Sequence, residues 1–162
     1  LATASRHPEN VVGMHFFNPV HKMPLVEVVR ADKTSDRAVL AIFELSKRLG
    51  KTPIVVKDGP GFLVNRLLMP YLNEASYLLA EGAPIEELDE AALNFGMPMG
   101  PANLLDEIGI DVAVKVAKIL HHAFGVRAQP CVLNEKLVEA KLWVKKLLKV
   151  FTSIMSKAKK TN

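Results

Sequence analysis

Two ionisable residues stand inside short apolar runs, His15 in "VVGMHFF" and Glu27 in "LVEVV". If the two runs form a hairpin whose loop, Asn18 to Pro24, is centred on His21, then residues 15 and 27 are equidistant from the centre and fall opposite each other. Directly opposed side chains on one face of a hairpin are close enough to interact. A carboxylate beside an imidazole fixes its tautomer and stabilises the imidazolium formed when the ring takes a proton, which is what a general base requires. The same spacing also describes a satisfied polar pair at a sheet edge, so spacing alone names no reaction.

The elements that must hold these residues divide by pattern near residue 58. Val11–Phe17, Leu25–Val29 and Pro53–Val56 are rich in Val, Ile or Phe, are bounded by turn residues, and predict strands. Between the second and third, Ser35 as N-cap, an apolar stripe of Val39, Ile42, Phe43 and Leu49, and Gly50 just past the end predict a helix. Three strands and one helix cannot bury their own faces, so this is expected to be the last part of a larger sheet. After "KDGPG" the pattern is helical: Phe62–Glu81 with Pro70 as a kink, Ile85–Phe95 closed by Gly96, Ala102–Ile108, Asp111–Ala123 closed by Gly125, and a last helix from Leu133 into the 150s. The expected division is a sheet remnant over 1–58 and a helical domain over 59–162.

The 162 residues are 49% hydrophobic, enough for a true core, and carry a net charge of +4. That charge suits an anionic ligand, and with no DNA- or RNA-binding motif beside it no nucleic acid is expected as a partner. The single cysteine, Cys131, excludes an internal disulfide and fits a buried thiol in a reducing compartment. His121 and His122 fall late in a helix, where positive charge is favourable, and no ligand follows at metal spacing, so no metal site is expected. "GPGFLV" has Gly59 and Gly61 but Val64 where a dinucleotide fingerprint needs its third glycine, and a linking turn accounts for it better. The chain begins with Leu1, not Met, and is expected to be a fragment whose targeting signal would lie elsewhere.

Three long segments, in order, name a family. "MHFFNPVHKMPLVEVV", "KTPIVVKDGPGFLVNRLLMPYLNEA" and "MPMGPANLLDEIGIDVA" resemble the L-3-hydroxyacyl-CoA dehydrogenases, over roughly residues 6 to 140. "NPVHKMPLVEVV" and "GKTPIVVKD" are most similar to the multifunctional bacterial fatty-oxidation branch of that family, whose enoyl-CoA hydratase region is absent here. The resemblance implies a mostly α chain, an all-α dehydrogenase domain preceded by the last strands and one helix of a Rossmann-like, NAD-binding α/β domain. It implies that His15 is the catalytic base, Glu27 the acid paired with it, Asn18 a contact of the nicotinamide cofactor, and Asn65 a substrate contact that orients the reacting carbon. The implied reaction is oxidation of L-3-hydroxyacyl-CoA to 3-ketoacyl-CoA with NAD, in fatty-acid β-oxidation. The implied partners are the acyl-CoA substrate, a second copy of the chain, and a thiolase subunit in the intact complex. The compartment would be the cytoplasm in a bacterium and the mitochondrion or peroxisome in a eukaryote.

Two departures bear on that reading. The glycine-rich strand–turn–helix that holds the NAD pyrophosphate is not in this sequence, so the chain is expected to hold half an active site, to be inactive alone and to bind NAD weakly. Lys141 to Asn162 contains no glycine and reads as a basic amphipathic helix in place of the family's glycine-rich, aromatic-containing segment, with packing onto the helical domain favoured over a membrane surface. Two other functions compete: a non-catalytic helical dimerisation or assembly module, and a short-chain 3-hydroxybutyryl-CoA dehydrogenase working in the reductive direction.

Overall fold

The computed structural model describes residues 2–140. The expected helix from Leu133 is described only as far as Ala140, and the basic segment 141–162 lies outside the described residues. By contacts the chain forms two units, Leu1–Arg66 and a second that begins at Leu67.

The first unit is built on a three-stranded sheet in the order β1 (Gly13–Phe16), β2 (Leu25–Arg30), β3 (Thr52–Lys57). β1 and β2 are antiparallel, with Phe16 opposite Val26, His15 opposite Glu27 and Met14 opposite Val28. The loop centred on His21 therefore sets the register that the sequence implies. β3 runs parallel to β2, with Ile54 beside Glu27, and α1 (Asp36–Arg48) makes the crossover that parallel neighbours need. Ser35 caps α1 by accepting from the Ala38 N–H at 3.2 Å, and Gly50, at φ 73°, closes it. Side chains alternate faces along a strand. Val26 and Val28, both fully buried, pack with Val39 and Ile42 of α1 and with Met14 and Phe16, which leaves His15 and Glu27 on the opposite face.

α2 runs without interruption from Val64 to Ala80, through Pro70. It begins two residues later than its apolar pattern suggests, because Gly59, Gly61 and Phe62 all have positive φ and form a turn instead. In the second unit, the rest of α2 packs with α3 (Ile85–Phe95), α4 (Pro101–Ile108), α5 (Ile110–Phe124) and α6 (Val132–Glu139). Its largest core joins Met69, Leu72, Leu105, Ala113 and Leu120. Truncating a leucine buried like Leu72 or Leu105 to alanine typically costs about 2–5 kcal/mol. The mostly α architecture with a small sheet is as the sequence indicates.

The "MPMGP" turn has a physical reason. Asp89, buried in α3, accepts from the Ala102 N–H at 2.8 Å and from the Asn103 N–H and side-chain amide at 3.2 and 2.7 Å. It thereby satisfies donors that the first turn of α4 would otherwise leave unpaired. A Cβ on Gly100 would lie 2.2–2.4 Å from Asp89 side-chain atoms, so only glycine lets the two segments approach this closely. Cys131 is free and buried, and His121 Nδ1 donates to the Gly125 carbonyl at 2.9 Å, closing the end of α5.

Candidate active site

Glu27 is completely buried in the middle of β2. A carboxylate removed from water is costly unless donors surround it. Its Oε1 accepts from the backbone N–H groups of Leu63 and Val64, both at 3.0 Å, where the turn becomes α2. These are donors with no intrahelical acceptor, at the end of the helix dipole that favours negative charge. Its Oε2 is buried with no hydrogen-bond partner among the described residues.

His15, half-buried, lies directly across from Glu27 in the β1–β2 register. No hydrogen bond joins the two side chains among the described residues. The imidazole instead meets two aromatic rings: Phe17 edge-on, with centroids 5.0 Å apart and planes at 82°, and Phe62 at 5.4 Å and 59°. Phe62 has φ 42°. That left-handed backbone costs a residue other than glycine roughly 1–2 kcal/mol.

Asn18 is exposed just beyond the end of β1, in the hairpin loop. Lys51, just before β3, pins that loop by donating from Nζ to the carbonyls of Val20 and Met23. Asn65, half-buried, directly follows Val64 in the first turn of α2, and its side chain makes no hydrogen bond among the described residues. The hairpin and the start of α2 thus bring His15 and Glu27 onto one sheet face, with Asn65 next along the chain to an amide that Glu27 holds. Nothing described links Asn18 or Asn65 directly to His15.

Sequence reasoning did not find the Leu63 and Val64 amides, Phe62 or Lys51. One signal pointed to the first of these: a glutamate inside "LVEVV" must find donors once buried, and glycines before a helix expose amides that could serve. The Leu63 and Val64 amides are held by Glu27 and are not free to bind a phosphate. The exposed carboxamide of Asn18 is open to a polar ligand. Among the described residues no cluster of His, Cys, Asp and Glu could hold a metal ion.

A small sheet with His15 opposite Glu27, followed by a helical unit, matches two domains of one class of enzyme. Residues 1–59 match the NAD binding domain of 3-hydroxyacyl-CoA dehydrogenase, and residues 61–153 match the C-terminal domain of the same enzyme. The chain belongs to the 3-hydroxyacyl-CoA dehydrogenase family. It is 50% identical over 139 residues to the fatty acid oxidation complex subunit alpha of Idiomarina loihiensis, covering 86% of this chain and 20% of that protein. It is 52% identical over 127 residues to the same subunit of Vibrio parahaemolyticus, covering 78% and 18%. Among solved structures, (S)-3-hydroxybutyryl-CoA dehydrogenase from Ralstonia eutropha is similar with a TM-score of 0.86 and 44% identity, over 90% of this chain and 53% of that one. The 3-hydroxybutyryl-CoA dehydrogenase of Escherichia coli gives 0.82 and 40%, over 90% and 32%. The chain spans about one fifth of the length of the subunit alpha relatives.

Proposed function

We propose that this chain forms part of an enzyme that oxidises L-3-hydroxyacyl-CoA to 3-ketoacyl-CoA with NAD, in fatty-acid β-oxidation. The supporting observation is the pairing of His15 with a buried Glu27 that keeps one carboxylate oxygen unpartnered. A ring nitrogen of His15 takes the proton of the 3-hydroxyl as the C3–H bond breaks. NAD, when bound, supplies the acceptor for the hydride leaving that carbon. Glu27 is already ordered by two amides, and its Oε2 is left to accept the N–H of the imidazole and stabilise the charge once the two side chains close on each other. Contacts of this kind are often long before substrate binds and tighten in the reacting complex. Asn18 holds the nicotinamide end of the cofactor, and Asn65 orients the reacting carbon.

The likeness to 3-hydroxybutyryl-CoA dehydrogenases favours a second reading of the same site, acting on short chains in the reductive direction. The chemistry at His15 is then the reverse step. A second copy of the chain and a thiolase subunit are the proposed partners, in keeping with relatives that are subunits of a complex.

The test is a chimera in which residues 6–140 replace the matching segment of the Idiomarina loihiensis subunit. NADH formation from an L-3-hydroxyacyl-CoA supports the reading. A folded chimera with no such activity, while the parent subunit is active, favours a non-catalytic assembly module.

A further inference from the structure

We propose that Phe62 is a positioning residue for His15, clamped in place by Glu27. The inference rests on His15 being the base and adds a second duty for the carboxylate opposite it.

The turn from Gly59 to Val64 already uses glycine at two of its positive-φ positions, and Phe62 is the one residue other than glycine among the described residues that adopts such a backbone. Glycine would meet that geometry without strain. A phenylalanine held there against its preference brings something glycine lacks, and its ring meets the imidazole of His15, 5.4 Å away at 59°. Phe17 meets the same imidazole edge-on at 5.0 Å. A histidine on a strand has two side-chain torsions to fix, and Phe62 limits the movement that Phe17 alone would leave open. The next two amides along the chain, those of Leu63 and Val64, are both bound to Glu27 Oε1. Phe62 therefore cannot relax into the helix, because its successors are tied to β2. Glu27 thus acts on His15 by two routes, from across the hairpin and through the turn that presents the Phe62 ring. Proton abstraction depends on the direction of a lone pair, so an imidazole free to swing loses rate while the substrate still binds.

The decisive variant is Phe62→Gly, which removes the ring and suits the backbone, with Phe62→Tyr as the conservative control. In the 162-residue chain, nuclear Overhauser contacts between the His15 and Phe17 rings should weaken several-fold in Phe62→Gly and persist in Phe62→Tyr. Amide exchange at Leu63 and Val64 should stay slow in both. In the chimera, Phe62→Gly should lower kcat about 10- to 100-fold with KM for the acyl-CoA nearly unchanged, and Phe62→Tyr should restore most of it. Unaltered His15–Phe17 contacts in Phe62→Gly overturn the proposal, as does a kcat within about twofold of the parent. The ring contacts need no activity, so an inactive parent chimera would count against the dehydrogenase reading and leave the positioning of His15 to be decided by them.

Discussion

Glu27 in β2 and Val64 at the start of α2 are joined by a 3.0 Å hydrogen bond, although 37 residues separate them in sequence. The carboxylate that faces the candidate base across the hairpin is also the N-terminal cap of the longest described helix.

That double attachment separates two substitutions. Glu27→Gln retains a carbonyl oxygen for the Leu63 and Val64 amides and loses the charge, so it should fold nearly normally and turn over slowly. Glu27→Ala loses both functions, and losing a helix cap costs about 0.5–2 kcal/mol. Denaturant unfolding with amide exchange at Leu63 and Val64 checks this. Equal stability for the two variants would deny Glu27 its capping role.

Asp89 and Gly100 form a comparable unit among the helices. Gly100→Ala must push Asp89 off its three hydrogen bonds or open the turn, and should destabilise by about 1–3 kcal/mol. Asp89→Asn turns an acceptor into a donor facing other donors and should cost a similar amount, about 1–3 kcal/mol. Because both act on one contact, the double variant should fall well short of the sum. Additive losses in thermal melts would show the two positions to be independent.

Tyr71 predicts an alkaline weakness. Burial first, and then the negative charge of Asp89, raise its phenol above the ordinary value of 10.0. The folded state therefore holds the proton more tightly than the unfolded chain. Its contribution to stability is complete below pH 10 and is lost as pH rises through the folded value. The hydroxyl is buried without a hydrogen-bond partner among the described residues. Tyr71→Phe should consequently be neutral or stabilising by up to about 1 kcal/mol at pH 7, and should blunt the loss above pH 10. Urea midpoints at pH 7 and above pH 10 would contradict this if the variant were the weaker protein at both.

Much of this arrangement was legible beforehand. The His15–Glu27 register followed from the symmetry of the hairpin loop, and Ser35, Gly50 and Gly96 marked helix ends because each has one strong local preference. Features that depend on partners distant in sequence were not legible. Nothing near "GPGFLV" shows that its amides will meet Glu27, nothing near "MPMGP" shows that Asp89 will need room beside Gly100, and the apolar run from Phe62 hides that Phe62 itself has a positive φ. Pro70 lies inside α2, as the continuous helical pattern implied.

Self-association is expected of the helical unit. Leu67, Phe95 and Val126 are 68%, 87% and 87% exposed, and Leu78 and Phe95 border an apolar groove that Leu88 and Ala92 also line. Exposed apolar surface of this kind tends to find a partner, and a symmetric pair would let one surface serve both copies. Light scattering at micromolar concentration should give at least twice the 17.8 kDa chain mass, and Phe95→Glu should lower it. A monomer throughout that range would remove the proposed contact.

The most direct measurement is kcat of the chimera with and without His15→Ala, followed as NADH formed from an L-3-hydroxyacyl-CoA. Losing a positioned base typically costs about 10²- to 10⁴-fold, so kcat should fall by that much with KM little changed. A His15→Ala chimera that turns over at nearly the parent rate would contradict the assignment of His15 as the base.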